Sequence, residues 1–210
     1  MKNTLKLKNI FFDTETTSLN PGQIGELSYI IEGAQGIEES GNIFFKVDSV
    51  DEGAQKVHGF SVDDFDRLSN GITFKDRHIE MHDLFKDKRL VAHNVPFDIK
   101  FISSELWRCG ISFQPLDRVC TMDFFKRVLK IPARSKRYGP YKNPKLSEVI
   151  DYYGLDTLKI AIYSEELFGT SERGQGYHDS RFDTAAMYVV TNVYRGLSSG
   201  NTDWLNTFKK

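Results

Sequence analysis

The chain predicts an α/β domain on three observations: strand-like segments follow one another closely at its start, strand–turn–helix units come next, and an amphipathic helix closes it. A length of 210 residues with 40% hydrophobic side chains suits one sizeable core and argues against extensive disorder. One domain is expected over residues 1–200, with 201–210 as a polar C-terminal tail containing Trp204.

The first strand begins where Leu5 and Leu7 alternate with lysines. It is then continuously apolar through Ile10, Phe11 and Phe12, the pattern of a central strand buried on both faces. Asn20-Pro21-Gly22 makes a turn, after which Leu27, Tyr29 and Ile31 alternate along a second strand. A third strand is expected after Gly41, where Ile43, Phe45 and Val47 alternate. Tight connections between three successive strands imply an antiparallel meander.

Helical signals follow. Residues 54–57 form one short turn, Ser61 is placed to cap a helix starting at Val62, and a further helix ends near Phe85. Arg89 to Ala92 is a short apolar strand that leads through His93-Asn94 into a helix with Pro96 in its first turn and Phe97, Phe101, Ile102 and Leu106 along it. A last strand is expected at 119–121, then a helix over 124–129 and a loop from Pro132 to Pro144. Leu146, Val149, Ile150 and Tyr153 recur at helical spacing until Gly154. After a flexible stretch from Gly169 to Gly176, Phe182, Ala186, Val189, Val190 and Val193 form the stripe of the closing helix.

Composition narrows the function. Apolar runs are short and Met1 leads straight toward the first strand, so a cytoplasmic protein without a membrane partner is expected. Cys109 and Cys120 have no metal-type spacing and are expected to be reduced thiols. The formal net charge of −1 conceals a basic run from Lys126 to Lys145 that holds eight Lys or Arg and no acid, leaving −9 for the rest of the chain. Such asymmetry points to a polyanionic partner, with a solvated loop as the alternative.

The acids carry the chemistry. Asp13 and Glu15 lie two apart on a strand and share a face, where two like charges are relieved by a hard divalent cation. A polar strand end entering a turn is the competing reading. Asp98 lies on the apolar stripe of its helix, one turn before Ile102, or else serves the helix macrodipole. Ser180 and Asp183 have capping-box spacing at the head of the last helix, which leaves His178 unexplained.

Taken in order, Asp13, Glu15, Asp98, His178 and Asp183 resemble the DEDD superfamily of 3'-to-5' exonucleases. The histidine places the resemblance in the DEDDh (DnaQ-like) subclass, which includes the proofreading subunit of the bacterial replicative polymerase. The segment from Phe12 to Leu19 is similar to the first motif of that family, Leu90 to Asp98 to the second and His178 to Asp183 to the third. Val57-His58-Gly59-Phe60 resembles the segment before a substrate-contacting helix, and the likeness spans roughly residues 7–196. Ser18 stands where the family usually has glycine, and Ser180 where it often has alanine.

The resemblance implies an RNase H-like fold, a mixed five-stranded sheet flanked by helices on both faces. It implies two ions, Mg²⁺ or Mn²⁺, held by Asp13, Glu15, Asp98 and Asp183, with His178 as general base and nucleoside 5'-monophosphates as products. The implied partners are the 3' end of DNA and a DNA polymerase. An exoribonuclease or short-oligonucleotide hydrolase is the nearest alternative, and a non-catalytic nucleic-acid-binding module is a second. Thr16, Leu19, His58 and Phe97 would receive the terminal nucleotide. On electrostatic grounds Arg134, Lys136 and Arg137 would meet the phosphates behind it, with Tyr138 and Tyr141 placed to stack on bases.

Overall fold

The computed structural model describes residues 7–135, 137, 139–170 and 176–210. Leu5, Lys136, Tyr138 and Gly174 therefore lie outside the described residues. The sheet consists of β1 (Asn9–Thr16), β2 (Ile24–Gly33), β3 (Gly36–Phe44), β4 (Arg89–Ala92) and β5 (Asp117–Cys120), in the order β3-β2-β1-β4-β5. β1, β2 and β3 form the expected antiparallel meander, while β4 and β5 add in parallel. The helices are α1 (Glu52–His58), α2 (Val62–Ser69), α3 (His78–Phe85), α4 (Val95–Arg108), α5 (Thr121–Leu129), α6 (Leu146–Tyr152), α7 (Thr157–Phe168), α8 (Ser180–Ser199) and α9 (Asp203–Phe208).

β1 is central because it can be buried on both sides. Ile10 and Phe12 face α3 and α4, with the Phe12 ring 5.0 Å from that of Phe85. Phe11 faces α8, its ring edge-on to Tyr188 at 5.1 Å. Helices thus cover both faces, and the architecture is RNase H-like.

The structure departs from the sequence reading at four places. β3 begins at Gly36, so Gly41 lies inside the strand, opposite Tyr29. Its first half is largely exposed and therefore shows no apolar alternation to read. A Cβ at Gly41 would come within 2.7 Å of the Tyr29 hydroxyl, which explains the glycine. Second, α7 had no single apolar stripe to announce it: Ile160 is buried, but Leu158 and Ile162 are 67% and 50% exposed. This helix flanks β3, where the Ser40 hydroxyl donates to the Leu167 carbonyl. Third, the segment after Gly200 is not only a polar tail. It holds α9, in which Trp204 and Phe208 stack at 5.7 Å and pack into the α8 side of the core. Fourth, Ser61 caps α2 as expected, in a capping box with Asp64, but the Ser180–Asp183 pair does not cap α8. Asp179 is the N-cap there, and the Ser180 hydroxyl is buried against that of Ser28 at 2.7 Å.

Both cysteines are free thiols, and no described helix is long and apolar enough to cross a membrane.

Candidate active site

The β1–β4 ladder stops at Phe11 and Val91, so β1 continues past the point where β4 departs. Beyond β4 the chain turns through Asn94 in the left-handed region (φ 80°) and enters α4, whose first turn carries Asp98. On the other edge of β1 a bulge between Glu15 and Thr16 shifts the register against β2, a device that re-aims side chains next to sites. α8 crosses this end of the sheet and brings Asp183. One carboxylate oxygen from each of Asp13, Glu15 and Asp183 lies within 4.8 Å of the others.

Each acid has a distinct environment. The Thr14 hydroxyl donates to Asp98 Oδ1 at 2.9 Å, holding it from the neighbouring position of the strand. Asp183 Oδ2 accepts the backbone N–H of His178 at 3.1 Å. Asp183 Oδ1 is buried with no hydrogen-bond partner among the described residues. Burial pushes Asp98 up to about 7 against the opposing Thr14 bond, and Asp183 up to about 7 against the opposing His178 N–H. Burial also raises Asp13 and Glu15 well above the carboxylate range, with Asp98 and Asp183 adding to the push on Asp13, and Asp13 to that on Glu15. Asp13 and Asp183 keep some exposure to the cleft, which moderates that push. Clustered oxygens, one of them orphaned, that resist ionisation are what a divalent cation would satisfy, so the donor set fits a metal.

A pH test follows from the sign of these shifts. The raised groups stabilise the metal-free fold in their protonated forms, fully below the ordinary aspartate range near pH 4, and that stabilisation is lost as pH rises through about 7. The metal-free protein should lose melting temperature between about pH 5 and pH 8, by an amount worth a few kcal/mol in total, and Mg²⁺ should restore more of it at pH 8 than at pH 6. Calorimetry with and without chelator reads both. A metal-free melting temperature that climbs steadily over the same range would contradict the assignment.

The four acids lie in a cleft of about 1050 Å³ that is also lined by Thr16, Leu19, His58, Phe97 and His178. Leu19 is 83% exposed, a side chain held out into solvent at the cleft wall. Thr16 is buried and its hydroxyl donates to the Ser18 carbonyl. His58 stacks on Phe60, and its Nδ1 accepts the Phe60 N–H at 3.0 Å. Phe97 leans on Phe101 with ring centroids 4.9 Å apart. His178 is exposed in the left-handed region (φ 66°), at the turn before α8. From the basic segment the cleft wall takes Asn143, Pro144 and Lys145, whereas Arg134 and Arg137 are exposed and are not among the lining residues. His93 Nε2 lies 3.0 Å from the Pro144 carbonyl and ties this wall to the end of β4.

Sequence reasoning missed a further acid, fully buried. Glu26 stands opposite Glu15 in the β1–β2 ladder, 3.5 Å from Arg181, and accepts from Asn42 Nδ2 at 2.7 Å. Burial raises it to about 8, with Asp179 pushing the same way and Arg181 opposing. The signal was present as a charged residue between Ile24 and Leu27 in a buried strand.

An RNase H-like sheet with a carboxylate cluster at the end of its central strand defines a nuclease-type domain. The exonuclease family model, RNase_T, matches residues 10–159, and the chain belongs to that family. The matched span includes Asp13, Glu15 and Asp98 and ends before His178 and Asp183. Over 115 residues, 55% of this chain, it is 32% identical to the 3'-5' exonuclease DinG of Staphylococcus aureus (strain USA300), and the match covers 12% of that relative. Among solved structures, E. coli Exonuclease I in complex with a dT13 oligonucleotide has the same fold, with a TM-score of 0.63 at 15% identity over 93% of this chain and 43% of that one. Exonuclease X in complex with 5' overhanging duplex DNA is similar over 95% of this chain and 99% of its own, with a TM-score of 0.54 at 15% identity.

Proposed function

We propose that the chain is a 3'-5' exonuclease that hydrolyses phosphodiesters from the 3' end of DNA and releases nucleoside 5'-monophosphates. The observation that carries this reading is the convergence of Asp13, Glu15 and Asp183 within 4.8 Å in a cleft that also contains Asp98 and His178. Bound Mg²⁺ or Mn²⁺ would neutralise phosphoryl oxygens and lower the pKa of the attacking water, as in two-metal phosphodiester hydrolysis. Asp13, Glu15 and Asp183 would hold one ion, and Asp13 with Asp98 the second. His178 takes the proton from the attacking water as general base. Leu19, His58 and Phe97 enclose the terminal nucleotide beside Thr16, so the scissile bond is set over the acids. DNA is favoured because the solved structures of like fold were determined with DNA oligonucleotides and duplex DNA. A magnesium-dependent digestion of end-labelled DNA and RNA, single-stranded and mispaired, tests polarity and substrate together. Products shortened from the 5' end, or no products with metal present, would overturn the proposal.

The basic segment should bind the phosphates behind the terminal nucleotide, because four acids alone would repel a polyanion before it reached them. Arg134 and Arg137 are exposed and able to meet a backbone, and Lys145 lies in the cleft wall. With three phosphate contacts the log-log salt slope for a single strand should be about −2, from roughly −0.7 per contact. Reversing Arg134, Lys136 and Arg137 to Glu should weaken oligonucleotide binding strongly and flatten that slope. Hydrolysis of a nitrophenyl ester of thymidine monophosphate should stay nearly intact. An unchanged slope in the triple variant would make the segment a solvated loop.

A further inference from the structure

Among the described residues Arg181 is the one Lys or Arg that is buried, with 6% of its surface exposed. It lies two residues before Asp183, in a polar seam where α8 docks on the sheet. Its Nε donates to Asp179 Oδ1 at 2.8 Å and its Nη2 to Asp179 Oδ2 at 2.6 Å, a two-bonded fork. Its guanidinium also lies 3.5 Å from Glu26 on β2 and 5.7 Å above the ring of Phe44 on β3. Asp179 is the N-cap of α8, and its backbone carbonyl accepts the Asp183 N–H at 3.0 Å. Glu26 reaches the same turn from the sheet, its Oε2 lying 3.4 Å from the Ser180 nitrogen. Arginine matches this geometry because its planar fork satisfies Asp179 with two bonds while the same Nε edge faces Glu26 Oε1 as an ion pair.

We propose that Arg181 is a positioning residue: by clamping Asp179 to Glu26 it fixes the first turn of α8 on β2, and with it Asp183 and the turn that carries His178. Asp183 is the one cluster acid that comes from outside β1 and α4, so its oxygen meets those of Asp13 and Glu15 only if α8 is seated correctly. The seam also gathers two more carboxylates behind the site, and Arg181 is the buried cation that lets them sit there. A lysine would keep the charge but replace the rigid fork with a single mobile ammonium.

The test compares wild type with Arg181→Lys and with the Glu26→Gln/Arg181→Met double variant, in which no buried charge is left opposite a missing partner at position 26. Direct titration with Mn²⁺ alone, followed by electron paramagnetic resonance, gives metal affinity, and the turnover arm rests on the proposed exonuclease activity. Arg181→Lys should weaken Mn²⁺ binding and lower kcat, each by about 10- to 100-fold, the range seen when residues supporting metal ligands are lost, with little change in KM for single-stranded DNA. The double variant should not regain Mn²⁺ affinity, because Asp179 still lacks the fork that held it. Arg181→Lys with wild-type Mn²⁺ affinity and kcat but a lower melting temperature would overturn the proposal, leaving Arg181 a fold residue only. Recovery of Mn²⁺ affinity in the double variant would overturn it too, by showing that charge balance and not placement was at stake. A wild type that binds Mn²⁺ yet digests no nucleic acid would sink the exonuclease reading while the metal-affinity arm still decides this one.

Discussion

Asp13→Asn should lower hydrolysis by about 10³-fold or more while the protein stays folded, since stabilisation worth several kcal/mol depends on the ligand removed and each 1.36 kcal/mol is tenfold in rate. The reason for choosing Asn is steric: it keeps the shape of the side chain while removing the charge and replacing one ligand oxygen with an amide nitrogen. Asp13 is the acid on which the others converge, pushed up first by burial and then by Asp98, Asp183, Glu26 and Asp179. Neutralising it takes one like charge out of that group, so at about pH 8 the metal-free variant should melt higher than the metal-free wild type. Adding Mg²⁺ or Mn²⁺ should raise the melting temperature of wild type by linkage and that of the variant by less. Loss of activity with higher metal-free stability is a pairing that a damaged fold would not produce. Equal metal-induced shifts in both proteins would show that Asp13 is not a ligand.

His178 should be next in effect. Removing a general base typically costs about 10²- to 10⁴-fold in turnover, and affinity for nucleic acid should change little. Both His178→Ala and His178→Asn are informative, because the backbone here is left-handed (φ 66°) and Asn tolerates that region better than Ala. Asn therefore separates loss of the imidazole from strain in the turn. The backbone N–H that donates to Asp183 is retained in either variant, so the acid should keep its place and metal binding should persist. Full turnover in His178→Asn would mean that another group takes the proton.

Much of this site was legible because its residues sit on short, strongly patterned elements. The run Ile10-Phe11-Phe12 announced a strand buried on both faces, and strand geometry alone set Asp13 and Glu15 on one side of it. Asp98 was readable as a buried acid because it interrupts an apolar helix stripe, and it is 3% exposed with Thr14 as its partner. His178 and Asp183 were found through a motif, since nothing local distinguishes them from a helix cap. The capping reading itself misplaced the cap by one residue, because Asp179 and Ser180 are both competent caps and the choice was made by Ser28, which lies 152 positions away and binds the Ser180 hydroxyl.

What escaped was whatever depends on a distant neighbour. α7 and α9 carry apolar residues without a continuous stripe, and each is held by what it packs against, α8 and β3 for one and the aromatic face of Tyr163 and Tyr188 for the other. The placement of the basic run was also unreadable: Asn143, Pro144 and Lys145 enter the cleft because His93 holds the Pro144 carbonyl, while Arg134 and Arg137 stay outside the lining. Local sequence determined the strands, the helix starts and the identity of the carboxylates, since those follow from periodicity and backbone preference within a few residues. The tertiary structure alone decided that Glu26 is buried opposite Glu15, that Arg181 binds it, and that an oxygen of Asp183 comes within 4.8 Å of those of Asp13 and Glu15. The first follows from the β1–β2 register and the other two from how α8 is seated over the end of β1, and packing between residues more than a hundred positions apart leaves no periodic trace in either segment.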